Sequence, residues 1–514
     1  MITPLCKASS FSRVSLFLMA MLFIGLSLSS VSANASIYYV DGGNQQTGTD
    51  GSKANPWQTL LEAWMIAPSG STVVVSGGTY DAFSISNPRS ELDDFITFEA
   101  AEGETPTISG VSVIFPELQN GFIRFDGFRI RGAAGTRVVS LENVRSVEIL
   151  NNEILGEKWA KSGQGTTGLQ ISGSDSVSIA GNHVHEIHTG LMVGGSTGTI
   201  IHRNLIMPKA GSGIKYSGRN QAGVIEANHV KGAPYTSYPE DPDAVQNPHA
   251  SIISVRSGDL LIKGNLLHDM GSSSGVMFYS PDADGGESAY SNITIENNAI
   301  FSTNNYYALR IYNLGENFKV INNLLFARPR EGSCDGFTKD ARYRYNTALV
   351  VHSKADGFDG SGLHLFNNIL VGALMAPETV RESNNVIWSW FNGSDWLSQA
   401  PNSSSMLLTS SYAGCGNHSR AFENGTFFEA SLDFSSLSDD PVPNLSLGAN
   451  SSGINFGDPD KQAAKSLGTV GSDGLLLDDG VVRSSSIHSV GPYEILVEEA
   501  ASTSPPSAPK LMLE

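Results

Sequence analysis

An asparagine turn that returns along the middle of the chain restricts its folding more than any other feature. The segments SVEILNNEI, SVSIAGNHV, TIIHRNLI, VIEANHV, LLIKGNLL, ITIENNAI, KVINNLLF and LHLFNNIL each alternate apolar and polar residues, pass through Asn or Asn-Asn, and become apolar again. Their reference asparagines are Asn152, Asn182, Asn204, Asn228, Asn265, Asn298, Asn323 and Asn368. The shortest spacings between them are 22, 24 and 25 residues. A unit of that length cannot bury an apolar face alone and must stack on copies of itself, which is the logic of a solenoid. The longer spacings of 30, 33, 37 and 45 residues read as the same coil with a loop inserted. Asparagines stacked at one turn can bond to each other and to backbone, offsetting the cost of a buried polar corner. A further strand follows each turn: GLQIS, GLMVG, GIKYS, SIISV, GVMFY, ALRIY and ALVVH. The unit is too short for a propeller blade and its turns too regular for a sandwich, so an all-β parallel solenoid is expected.

The ends of the chain set its context. Lys7 and Arg13 precede the apolar run VSLFLMAMLFIGLSLSSV, and Ala33-Asn34-Ala35 supplies a small-x-small cleavage pattern, so residues 1–35 read as a secretory signal peptide. A secreted or periplasmic protein with no membrane span is expected. Residues 36–497 read as one β-solenoid domain, and the Ser- and Pro-rich residues 498–514 as a disordered tail. At the start of the domain, Asn55-Pro56 reads as the cap of a short helix over WQTLLEAWMIA, with Leu60, Leu61 and Trp64 at helical spacing. Such a helix would cover the open end of the first coil. Cys334 and Cys415 remain after cleavage, too few for a disulfide framework. The net charge of −19 drops to −21 without Lys7 and Arg13, which excludes a nucleic-acid partner recognised through a basic footprint. A monomer is expected.

Placing the second strand of each repeat by its distance from the neighbouring asparagine gives two outward rows. One reads Gln170, Met192, Lys215, Ile252, Met277 and Arg310; the other reads Ser172, Ser217, Ser254, Tyr279, Tyr312 and His352. Lys215, Tyr279, Arg310 and Tyr312 then share one external face, with Arg256 outward at the end of its own strand. The insertion GAPYTSYPEDPDAVQNPHA leads into the same coils and brings Asp241, Asp243, Gln246 and His249 to the rim. SPDADGGESAY adds Asp282 and Asp284 in an Asp-rich, Gly-turn context suited to calcium, the one cofactor the sequence points to. Long polar loops on a rigid scaffold are where binding and catalytic groups concentrate.

The text from about residue 37 to 497 resembles the right-handed parallel β-helix (pectin-lyase-like) family of secreted polysaccharide-active proteins. The resemblance is carried by the opening IYYVDGG...ANPWQTLLEA...GGTY, the N-x-[VIL] coils, and the ending DDGVVRSSSIHSVGPYEI. It implies an extracellular polysaccharide as partner. Locally, S-I-I-S-V-R-S at Ser251–Ser257 resembles the I-S-x-K-S strand of the alginate lyase and chondroitinase B type. Arg256 stands there in the place of the basic lysine, and arginine, with a pKa above about 12, is a poor base.

Three chemistries fit these residues. A β-elimination at a uronic acid needs a neutralised carboxylate, a base for the C5 proton and an acid for the leaving oxygen. Lys215, His249 and Tyr279 are the candidate proton-transfer groups, and Asp243, Arg256, Arg310 and Tyr312 the candidate substrate contacts. A hydrolase would instead use two carboxylates from the Asp-rich loops. A glycan-binding solenoid would need no chemistry. The lyase is the leading expectation.

Overall fold

The computed structural model describes residues 36–156, 165–232, 250–268, 274–279, 290–302, 307–312, 314–327, 347–352, 360–376, 380–389, 406–409, 472 and 475–476. Asp243, His249, Asp282, Asp284, Cys334 and Cys415 fall outside them, as do the signal-peptide and tail segments. Within the described residues the chain winds into coils of three strands. In one coil these are Thr189–Gly194, Ile200–His202 and Leu205–Pro208. Every strand pairs in parallel with its counterpart one coil away. First and second strands together form a 22-stranded sheet and third strands a 13-stranded sheet. The first two join because Val111–Asp126 and Arg137–Leu150 run through the corner between them without a break.

Alternation of side chains sets the core. Ile171, Val193, Tyr216, Val255, Phe278 and Ile311 point inward from the first strands, and Val184, Ile206, Val230, Leu267 and Ile300 from the third. A single apolar column therefore runs through the coils. The corner between second and third strands is polar inside and fully bonded. Asn182, Asn204, Asn228, Asn265 and Asn298 are completely buried. Each donates its Nδ2 to the Oδ1 of the next asparagine, from Asn152 through to Asn385. Asn385 carries this ladder one coil past Asn368, the last asparagine the repeat pattern identified.

The doubled asparagines in the repeat have a backbone cause. The residue before each ladder asparagine is left-handed: Asn151, Gly181, Arg203, Ala227, Gly264, Asn297, Asn322, Asn367 and Asn384 have φ between 51° and 67°. Asn and Gly tolerate that region, whereas other L-residues pay roughly 1–2 kcal/mol. Arg203 and Ala227 are the two exceptions. Ala227→Gly is therefore expected to stabilise the protein by about 1 kcal/mol in chemical denaturation, after allowance for the freer unfolded chain.

The first coil is closed as expected in outline and differently in detail. The helix is Leu60–Ile66, not a helix opening at Pro56. Residues 56–57 stay extended because Trp57 pairs with the first strand: its N–H donates to Tyr39 O and its carbonyl accepts from Asp41 N. Thr59 is the N-cap, its Oγ1 accepting from Glu62 N at 3.0 Å, while Glu62 Oε2 accepts from Gln58 N at 3.1 Å. Leu60, Ala63 and Trp64 are buried, but Leu61 faces outward. No helix among the described residues is long and apolar enough to cross a membrane.

Candidate functional site

The outer face of the first strands carries the cationic and aromatic side chains. Parallel pairing sets one outward row as Gln170, Met192, Lys215, Ser254, Met277, Arg310 and Val350. The row beside it runs Ser172, Gly194, Ser217 and Arg256. Tyr279 follows, its N–H bonded to Val255 O, and then Tyr312 opposite His352. One coil differs from the sequence expectation by two residues. Ile253 rather than Ser251 lies opposite Ile214, so Ser254 takes the place expected for Ile252 and Arg256 the place expected for Ser254. Ile252 precedes the strand, where its side chain turns into the core and its carbonyl accepts from Ile214 N. The shift moves Arg256 next to Tyr279.

Two stacks result. The Arg256 guanidinium carbon lies 4.3 Å from the centre of the Tyr279 ring. That of Arg310 lies 4.9 Å from the Tyr307 ring and 4.6 Å from the Tyr312 ring. Each such contact contributes about 0.5–2 kcal/mol, depending on desolvation. The contact also restricts where the guanidinium can sit, a restriction that favours directed hydrogen bonding by arginine. Strands on adjacent coils are about 4.8 Å apart, so Lys215 and Arg310, three coils apart, span roughly 14 Å. Met277 belongs to this row but is buried, with its sulfur 3.5 Å from Ser251 Oγ.

Lys215 is held below the ordinary lysine range, first by burial and then by the Arg256 charge on the next coil. His188, just before the strand Thr189–Gly194, is held below the usual histidine range by burial and by the Lys215 charge. Its Nδ1 lies 3.1 Å from Thr189 Oγ1. Glycines on the neighbouring coils make room for its ring: a Cβ on Gly165 would lie 2.1 Å from His188 Cβ, and one on Gly211 2.8 Å from Nδ1. His188 sits before the strand, outside the alternating rows, so the repeat pattern does not single it out. The small residues on both flanking coils were the available signal.

Removing the Arg256 charge has a predictable sign. Arg256→Gln leaves the burial of Lys215 but removes the second cause of its low pKa, so that pKa rises. The neutral amine then appears at higher pH, and any activity that depends on it should shift its rising limb upward. A pH–rate profile, or an NMR titration of the Lys215 side chain, checks this.

His268 lies on a third strand, on a different face. Its Nε2 is 2.7 Å from Nε2 of His229, and both rings are buried. Among the described residues no group of three or more His, Cys, Asp or Glu is arranged to hold a metal. From Gln170 to Val350 the described members of the two outward rows include no carboxylate.

Residues 115–236 match the family model described as a right handed beta helix region. The fold is a right-handed parallel β-helix. Solved structures similar to this β-helix include pectate lyase Pel9A, at 14% identity over 89% of this chain and 96% of that one, with a TM-score of 0.48. The alginate lyase AlyGC of the PL6 family is similar at 12% identity over 68% of this chain and 50% of that one, with a TM-score of 0.39. PfbA, a surface adhesin of Streptococcus pneumoniae, is similar at 13% identity over 51% and 79%, with a TM-score of 0.33. No curated protein matches the β-helix chain by sequence.

Proposed function

We propose that the protein is an exported polysaccharide lyase that cleaves a uronic-acid polymer on the outer face of its first strands. The observation that carries this reading is the row of cations there, in a chain with a net charge of −19. Lys215, its pKa held below the ordinary lysine range by burial and by the Arg256 charge, lies one coil from a guanidinium stacked near Tyr279 and three coils from another near Tyr307 and Tyr312. A strip of this sign suits an anionic ligand.

In this reading Arg256 and Arg310 pair sugar carboxylates. Pairing withdraws charge from the carboxylate and makes the C5 proton easier to remove. Lys215 Nζ takes that proton, the electron pair forms the C4–C5 double bond, and the C4–oxygen bond breaks. Tyr279 donates a proton to the leaving oxygen, with His249 as the alternative donor. Tyr312 and Asp243 contact sugar rings and hydroxyls. The segment carrying Asp282 and Asp284 is the proposed calcium-binding segment. A hydrolase would need two carboxylates across the bond, which the Asp-rich loops would have to supply.

The test is incubation with alginate, pectate, chondroitin and neutral glycans, with and without chelator. Ultraviolet absorbance from an unsaturated product on a polyuronate is the expected result. New reducing ends without absorbance would make the protein a hydrolase, and binding without either signal would make it a glycan-binding solenoid.

A further inference from the structure

The outer face of the second strands carries a column of basic side chains in its later coils. Parallel pairing sets Thr294, Lys319, His364 and Arg381 side by side on four successive coils. Lys319 and His364 are half-buried and Arg381 is exposed. Neighbouring coils are about 4.8 Å apart, so the step from Lys319 to Arg381 covers roughly 10 Å. His364, between them, is held below the usual histidine range by burial, then by the charges of Arg381 and Lys319. Two residues along the same strand, Phe366 places its ring 5.9 Å from that of His364, at 62°.

Earlier on this face the cations are matched by carboxylates. Arg124 pairs with Glu148 at 2.6 Å and Lys263 with Glu226 at 3.2 Å. Lys319 and Arg381 have no ion pair among the described residues. Glu296 faces Lys319 from the preceding coil, but burial holds its carboxyl above the usual range, and Lys263 also acts on it. Glu382, beside Arg381, is buried, and its Oε2 accepts from Asn385 Nδ2 at 3.1 Å. Glu316 lies exposed at the corner before the strand Phe318–Ile321. Two unmatched cations flanking a histidine suit an anion laid across them.

We propose that this column is a second binding strip for an acidic polysaccharide, in which Lys319 and Arg381 pair carboxylates of the polymer and Phe366 packs against a sugar ring. The uronic-acid identity of the polymer rests on the function proposed above. Five residues separate Tyr312 from Phe318, so the column begins in the coil that carries Arg310 and lies round the corner from the first-strand face. A polymer held there stays beside that face between cleavage events.

Affinity electrophoresis of the full chain, in native gels containing alginate, pectate, dextran sulfate or neutral dextran, tests the strip. Arg256→Gln and Arg310→Gln are present throughout, so that the first-strand face contributes less. Adding Lys319→Gln and Arg381→Gln should weaken binding to alginate or pectate by about threefold to tenfold at low salt, the worth of two exposed charge pairs. Binding should also tighten as the pH falls and His364 gains a proton, and His364→Gln should reduce that tightening. Unchanged retardation on adding the two substitutions would overturn the proposal. So would an equal loss in neutral dextran, or a loss confined to dextran sulfate. Retardation that depends on Lys319 and Arg381, in a protein that releases no unsaturated product, would refute the lyase and leave the strip standing.

Discussion

Asn265→Leu is expected to cost about 3–5 kcal/mol of stability, the range reserved for breaking a buried polar network. Asn265 donates Nδ2 to Ile225 O at 2.9 Å and to Asn298 Oδ1 at 2.9 Å. Its Oδ1 accepts from Asn228 N at 2.8 Å and Asn228 Nδ2 at 3.0 Å. Leucine has similar bulk but leaves these partners buried without it, and each orphaned group costs about 1–3 kcal/mol. The ladder continues on both sides, so the damage should be greatest in mid-solenoid and smaller at Asn385, where the described ladder ends. Chemical denaturation of Asn265→Leu and Asn385→Leu side by side checks both the size and the gradient. A loss below about 1 kcal/mol for Asn265→Leu would mean that the ladder's bonds are replaced rather than lost.

Lys215→Met is expected to lower turnover by about 10²–10⁴-fold, the usual worth of a positioned proton-transfer group. Methionine keeps the length and apolar contacts of the lysine stem, so the fold and the Arg256–Tyr279 stack should persist. Substrate affinity should change by only a few-fold, because Arg256 and Arg310 still pair the carboxylates. Equal turnover in Lys215→Met and wild type would remove Lys215 from the chemistry. Loss of affinity without loss of turnover would make it a binding residue.

These two residues also mark where the sequence was legible and where it was not. The ladder could be read because a buried asparagine at a left-handed corner leaves a fixed signature: Asn, often doubled, between alternating apolar runs. Lys215 could be placed because its strand, GIKYS, has one inward register that buries Ile214 and Tyr216. The strand SIISVRS offered two apolar starts, and only pairing with the preceding coil decides that Ile253 opposes Ile214. That choice brings Arg256 to Tyr279. His188 left little trace because its setting is made by glycines on two other coils, and its nearness to Lys215 depends on the stacking itself.

The most direct measurement is mass analysis of the oligosaccharides released from a polyuronate in water enriched with heavy oxygen. β-Elimination breaks the C4–oxygen bond without adding water, so the account predicts products with an unsaturated end, one water lighter than hydrolysis products and free of the label. Products carrying heavy oxygen at the new end would contradict it.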